Sequence, residues 1–442
     1  GENVIVRSKT GTGKTAAFAI PICEAAVWEN NNPTALVLEP TRELSVQVKQ
    51  EIFNIGRLKK LKVADLFGGF PIDKQILTLK QKTHIVVGTP GRIMDHLRRE
   101  TLNLENVSIL VIDEADLMFD MGFEEEVSNI IEQTLYGKAN VQLMLFSATI
   151  DDATKKITEK YMNNSKIISL NDDVMVQEIE QKSYMVSEDS DKYKAFKKIL
   201  ISENPDKCMI FCGTREMVNV LFQKLKRDRI RCTMIHGEME QRDRLRSIDE
   251  FRENRYRYLI ATDVAARGID FDGITHVINY DFPTGRETYI HRIGRTGRNG
   301  NSGIAINILS EYDLKMKGMI EQLTGEKIEV RDVLPSVSKK NQNDFDERQS
   351  EKIIFSPKKG AKFNKNIMKL SIGGGKKSKM RPGDIVGTLC SIDGITMEDI
   401  GIIDVRDSIS FVEILNGKGN KVLEELQTKT IKGKERKVKK TR

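Results

Sequence analysis

The chain has 442 residues, 39% of them hydrophobic and 31% charged, with a formal net charge of +7. That length exceeds one ordinary core, so about two or three domains are expected, and no run approaches the roughly eighteen apolar residues of a membrane-spanning helix. The five cysteines, at positions 23, 208, 212, 232 and 390, form no Cys-x-x-Cys pair. Reduced, mostly buried thiols are expected over a metal or disulfide role, which favours a reducing cytoplasm. The charge is uneven: residues 352–381 hold ten Lys or Arg and no acid, and residues 429–442 hold eight and one Glu. Solvated linker and tail is one reading of this and a polyanion partner the other; concentration near one end favours the second.

The first predicted strand, Val4-Ile5-Val6, runs into SKTGTGKT and then the helical AAFAIPICEAA. Ser8 stands where the strict phosphate-loop pattern has its first Gly, but Thr10, Gly11, Thr12, Gly13, Lys14 and Thr15 complete a cradle between strand and helix. Backbone amides at a helix N-terminus suit phosphate oxygens. Lys14 would reach the β and γ phosphates and the Thr15 hydroxyl a Mg²⁺ ion; a chance glycine turn is the alternative. Through TALVLEP, THIVVGTP, VSILVIDEAD and VQLMLFSAT, apolar strands alternate with amphipathic helical patterns and stop at small or charged residues. This is the pattern of an open parallel α/β sheet with functional loops at the carboxyl ends of its strands. ILVIDEAD delivers Asp113 and Glu114 to such an end, Asp113 suited to the metal and Glu114 to the attacking water. An acidic helix start would look the same, but the phosphate loop in the same sheet favours the chemistry.

NDDVMVQEIEQ breaks this rhythm and reads as a hinge. From about residue 177 to 335 the grammar repeats without a phosphate loop, in CMIFCGTR, RCTMIHGEM, YRYLIATDVAARGID, THVINYDFP and GIAINIL. Two similar units with one nucleotide loop suggest a site at their interface. YIHRIGRTGRNG offers Arg292, Arg295 and Arg298 to a γ-phosphate, reachable only if the units close; a basic surface helix is the alternative. Residues 336–366 are polar and basic and read as a flexible linker. A last unit then runs strand (IMKLSI), helix (from Pro382), two strands (GIIDVRD, SISFVEIL), helix (NKVLEELQ) and strand (IKGKERKVKK), a ferredoxin-like order.

The ordered set SKTGTGKT, PTREL, FGG, TPGR, DEAD, SAT, IFCGTR, ATDVAARGID and HRIGRTGR makes residues 1–335 resemble the DEAD-box ATP-dependent RNA helicases. The resemblance implies an α/β chain with two tandem RecA-like parallel-sheet domains, 1–172 and 173–335, using ATP and Mg²⁺. It implies that Asp116 and His291 link the nucleotide state to Ser147 and Thr149. Asp270 should contact the ribose, and Arg295 and Arg298 should be arginine fingers. RNA should lie on Thr41, Arg42, Gly69, Thr89, Gly91 and Arg92 of the first domain and on Thr214, Arg215, Gln241, Arg244 and Thr262 of the second. These groups meet sugar and phosphate rather than base edges, so binding without sequence preference is expected, with the 2′-OH separating RNA from DNA. Clamping one strand in a bent path would unpair a short duplex locally, and hydrolysis would release it. Family members carry an adenine-reading segment before the loop; since this chain starts at Gly1, a first domain truncated there is expected.

Residues 367–442 resemble the small α+β, RRM-like RNA-binding domain of the bacterial DbpA subfamily, its Gram-positive members in particular. GGKKSKMRPGDIVGTL, IGIIDVRDSISFVEILNGKG and IKGKERKVKK carry that likeness. It implies a 23S ribosomal RNA hairpin and large-subunit precursors as partners, and a role in ribosome assembly; a monomer is expected. RRM-type sheets usually stack bases on aromatics of two central strands. Here Ser371 replaces one aromatic, and SISFVEI keeps Phe411 but has Ile409 and Ile414 at the other usual positions. Recognition by Lys376, Lys377, Lys379, Arg381, Lys418 and the tail is expected instead, a solvated fringe being the alternative for any one of them. Two rivals stay open: a DNA-directed helicase of the same superfamily, and a module that holds RNA but turns over no ATP.

Overall fold

Runs such as ALVL, IVVG and ILVI have no polar alternation, so as strands they need cover on both faces. The computed structural model, which describes residues 1–8, 13–170, 179–186, 189–269, 271–297, 302–324, 327–331, 334–351 and 366–441, supplies that cover. The first sheet comprises β1 (Val4–Arg7), β2 (Ala35–Leu38), β3 (Val63–Leu66), β4 (Ile85–Gly88), β5 (Ile109–Ile112), β6 (Gln142–Ser147) and β7 (Lys166–Ser169). Their order is β3-β4-β2-β5-β6-β1-β7, and β3–β4, β4–β2, β2–β5 and β5–β6 pair in parallel. Side chains alternate between two cores. Val37, Val87 and Val111 pack with Phe18 and Ile22 of the helix Lys14–Ala25 and with Val48 and Ile52 of the helix Arg42–Ile55. Leu36, Val86 and Leu110 pack on the other side against Ile93, Met118 and Ile130. Each such side chain contributes about 1.5–3 kcal/mol by leaving water.

The second sheet repeats the design with β8 (Ile179–Met185), β9 (Cys208–Cys212), β10 (Cys232–Ile235), β11 (Tyr258–Thr262), β12 (His276–Asn279), β13 (Gly303–Leu309) and β14 (Val330–Arg331). They lie in the order β10-β11-β9-β12-β13-β8-β14, with parallel pairing throughout. Residues 171–178 of the expected hinge lie outside the described residues. Part of the segment read as a flexible linker is a helix, Lys339–Ser350, capped by Ser338. Its single apolar anchor, Phe345, is buried in the second core, and Arg348 pairs with Asp206 at 2.7 Å.

The last unit has β15 (Met368–Gly373), β16 (Ile400–Val405), β17 (Ile409–Ile414) and β18 (Val438–Lys440) in the antiparallel order β16-β17-β15-β18, the ferredoxin-like arrangement. Helices Pro382–Cys390 and Gly419–Glu425 bury Ile385, Leu389 and Val422 against Leu370, Ile372, Val412 and Ile414. Ile414 therefore belongs to the core and not to the open face where an aromatic was sought. Two-residue alternation puts Ile409, Phe411 and Glu413 on that face instead. Among the described residues no helix is long and apolar enough to cross a membrane.

Candidate functional site

The helix Lys14–Ala25 begins after Gly13, whose φ of +89° is backbone that glycine enters without a Cβ clash. Thr10, Gly11 and Thr12 lie outside the described residues. Lys14 is buried, and its Nζ donates to Glu114 Oε1 at 2.9 Å; Thr15 beside it is half-buried. Asp113 follows β5 directly, is buried, and accepts from the Glu114 amide at 2.9 Å. Burial pushes its carboxyl up to about 7, with Lys14 opposing and Glu114 adding to the rise. Burial works to lower the Lys14 pKa, but Glu114 and Asp113 outweigh it and the value is raised. Glu114 sits in the left-handed region at φ +49°, ψ +49°, a conformation costing a non-glycine residue on the order of 1–3 kcal/mol. Such strain concentrates where a side chain must be aimed, and here the carboxylate meets Lys14.

The buried Asp113 carboxyl and the Thr15 hydroxyl are hard oxygen donors suited to magnesium, and the Lys14 ammonium suits phosphate. Among the described residues no three His, Cys, Asp or Glu converge to cage an ion. Magnesium keeps several waters and takes one or two carboxylates plus phosphate oxygens, and Asp113 supplies such a carboxylate. Next to this pocket, Asp116, Ser147 and Thr149 form one network. Ser147 Oγ accepts from the Asp116 amide at 3.2 Å, and Asp116 Oδ2 accepts from both the amide and the hydroxyl of Thr149 at 2.9 Å. The helix Ala115–Asp120 and the end of β6 are thus tied together at the expected coupling residues.

In the second unit, Phe211, Asp263, Arg267, His291, Arg292 and Arg295 line a shallow cleft. Arg292 is buried and fully committed. Its Nε and Nη2 donate to the two Asp263 oxygens at 2.5 and 2.7 Å, and Nη1 donates to Asn279 Oδ1 at 2.9 Å and Asp281 O at 2.6 Å. It is a strut between strand ends rather than a free guanidinium. Arg295, one turn on, is half-buried and donates to Ile269 O at 2.7 Å, while His291 is exposed. Asp270 and Arg298 lie outside the described residues.

The expected RNA residues fall at helix starts and strand ends. Thr41 caps the helix Arg42–Ile55 and Thr214 caps Arg215–Arg227, each hydroxyl accepting from the amide three residues on, at 3.2 and 3.1 Å. A Cβ on Gly68 would stand 3.2 Å from Arg42 Nη2, so the FGG turn leaves room for that guanidinium; Gly69 turns the chain at φ +83°. Thr89 precedes the helix Pro90–Arg98, and a Cβ on Gly91 would meet no atom within 4 Å, which leaves room for a ligand backbone. Arg92 Nη1 donates to Phe70 O at 3.1 Å and Gln75 Oε1 at 2.9 Å; His96 Nε2 also meets Gln75 Oε1, at 3.1 Å. Gln75, which positions Arg92, carries no motif signal in the sequence. Arg215 is exposed and paired with Glu216 and Glu238, Gln241 and Thr262 are buried, and Arg244 Nη2 donates to Ala265 O at 3.0 Å.

On the last sheet, the Phe411 ring has the Lys369 ammonium 5.3 Å and the Arg406 guanidinium 4.8 Å from its centroid, and it is paired opposite Ser371. Glu413 on the same face is buried and accepts from Arg57 Nη2 at 3.0 Å and Nε at 3.3 Å. Lys376, Lys377, Lys379 and Arg381 are exposed. Lys418 instead donates to Asp399 Oδ2 at 2.7 Å and Gly394 O at 2.8 Å, a structural commitment.

Comparison with known proteins agrees with this layout. The DEAD/DEAH box helicase family matches residues 1–157, the helicase conserved C-terminal domain 191–300, and the DbpA RNA binding domain 369–440. The chain is 46% identical to the ATP-dependent RNA helicase DbpA of Bacillus subtilis (strain 168), over 99% of this chain and 91% of that protein. It is 40% identical to the DEAD-box ATP-dependent RNA helicase CshA of Geobacillus kaustophilus, over 74% of this chain and 70% of that one. S. cerevisiae Dbp5 bound to RNA and ADP BeF3 superposes with a TM-score of 0.65 at 33% identity, covering 79% of this chain and 88% of the other. The matches over both parallel-sheet units and the last antiparallel sheet, with 46% identity over 99% of the chain, place this chain in the DEAD-box ATP-dependent RNA helicases of DbpA type.

Proposed function

We propose that this ATP-dependent RNA helicase is magnesium-dependent and RNA-stimulated, and separates short duplexes locally as a monomer in the bacterial cytoplasm. Residues 367–442 direct it to a 23S ribosomal RNA hairpin on large-subunit precursors during ribosome assembly. The target assignment is carried by the DbpA RNA binding domain match over 369–440, together with the cation-flanked Phe411 ring and the exposed basic loop around Lys376.

In this reading Lys14 leaves Glu114 to hold the β and γ phosphates, and Thr15 and Asp113 hold the ion. Bound magnesium neutralises charge on the phosphate oxygens. Glu114, freed from Lys14, orients the attacking water. Asp116, Ser147 and Thr149, with His291, carry the change to the RNA-binding loops, and Arg295 and Arg298 stabilise the charge that develops on the transferred phosphoryl group. Asp270 holds the ribose. Backbone contacts from Thr41, Arg42, Thr89, Gly91 and Arg92, and from their counterparts on the second sheet, grip sugar and phosphate.

ATPase assays of the full chain with matched RNA and DNA oligonucleotides and a 23S rRNA fragment test the reading. RNA should stimulate well above DNA, and the rRNA fragment above generic RNA. Equal stimulation by DNA overturns the RNA assignment. Deleting residues 367–442 should abolish the preference for the rRNA fragment yet leave the generic RNA response. Survival of the preference would overturn the role given to the last unit.

A further inference from the structure

Glu39 lies one residue beyond β2, in LVLEPTREL, and is fully buried. Neither of its carboxyl oxygens has a hydrogen-bond partner among the described residues. A buried carboxyl that no described residue serves carries a large desolvation cost, which favours a compensating partner at the site. The sheet register shows where it points. Leu38 pairs with Ile112, so Glu39 and Asp113 leave neighbouring strands at the same level. Val37 and Val111, two residues earlier, both face the core beneath the helix Lys14–Ala25. A period of two sends Glu39 and Asp113 to that same side, toward the end of the helix that Lys14 opens. The charges acting on Glu39 agree: after burial itself, Asp113, Glu114 and Lys14 act on it most strongly, ahead of Glu51.

We propose that Glu39 is a positioning residue of the magnesium–triphosphate site, bracing Asp113 and the waters the ion retains. This rests on the magnesium dependence argued above. The register places Glu39 beside Asp113, and it acts through Asp113 and those waters. Outer partners of this kind fix the orientation of the group that touches the metal, and their loss costs about 10–100-fold in metal affinity.

The test is a magnesium titration of N-methylanthraniloyl-ADP binding to the full chain, followed by fluorescence, for the unsubstituted protein, Glu39→Gln and Glu39→Leu. Glu39→Gln keeps the shape of the side chain, and it should raise the half-saturating magnesium concentration about 10–100-fold while leaving magnesium-free nucleotide affinity unchanged. Glu39→Leu should do the same if it folds; if it does not, the isosteric Gln variant decides. Magnesium curves that coincide for Glu39→Gln and the unsubstituted protein overturn the proposal, even with a raised melting temperature, since that is how an inert buried acid behaves. If the unsubstituted protein binds the nucleotide equally with and without magnesium, the magnesium reading itself fails and Glu39 loses its role with it.

Discussion

Glu114→Gln is expected to lower kcat for RNA-stimulated ATP hydrolysis by about 10²–10⁴-fold, the range for a positioned proton-accepting group, while nucleotide binding persists. Glu114 serves Lys14, meeting its Nζ at 2.9 Å with both side chains mostly buried. Removing the carboxyl outright would strand a buried ammonium, a change costing about 3–5 kcal/mol, and would confuse a catalytic effect with a folding one. The amide avoids this, because its oxygen can still accept from Lys14 and the left-handed backbone at φ +49° is as costly for Gln as for Glu. Gln cannot carry a negative charge toward the attacking water, and it holds Lys14 less tightly. ATP affinity should therefore stay level or rise while turnover collapses. Single-turnover hydrolysis and direct nucleotide binding separate the two effects. A loss of turnover below about tenfold would move the water-orienting role to another group.

Groups whose chemistry is carried by the backbone path were legible in the sequence. ILVI followed by Asp-Glu-Ala-Asp can only be a covered strand ending in acids, and Asp113 and Glu114 lie at that end. The ferredoxin-like order of the last unit was legible for the same reason, since alternation and turn residues are local. Residues whose place depends on a neighbouring element were not. Ile414 and Glu413 differ by one step along β17, and only pairing with β15 decides which of them is in the core. The helix Lys339–Ser350 is polar apart from Phe345, so its docking could not be read from periodicity. Glu39 sits in a motif whose threonine and arginine attract attention; its burial follows from the register of β2 against β5, which one strand's sequence does not contain. Arg292 and Arg295 of HRIGRTGR look alike on paper, and they separate only when Asp263, Asn279 and Asp281 are seen around Arg292.

That separation leads to an effect on stability. Arg292→Ala should destabilise the second sheet unit by about 3–5 kcal/mol, because it leaves Asp263 without its counter-charge and the buried Asn279 oxygen without that donor. For a domain of this size, that corresponds to a fall in melting temperature of about 6–20 °C. Arg292→Lys keeps the charge but not the planar fork that serves Asp263, Asn279 and Asp281 at once, so its melting temperature should lie between the two. Arg295 donates to the Ile269 carbonyl from a half-buried position, and Arg295→Ala should leave the melting temperature nearly unchanged. Its cost should appear in RNA-stimulated hydrolysis, where loss of an arginine finger lowers turnover by about 10³–10⁵-fold. Melting curves and ATPase rates on the same preparations therefore distinguish a strut from a finger. If Arg292→Ala melts like the unsubstituted protein but hydrolyses ATP slowly, the Asp263 pair opens during turnover and Arg292 itself reaches the phosphate. If Arg295→Ala instead lowers the melting temperature as Arg292→Ala should, the contact with Ile269 is the structural one and the assignment of the two arginines reverses.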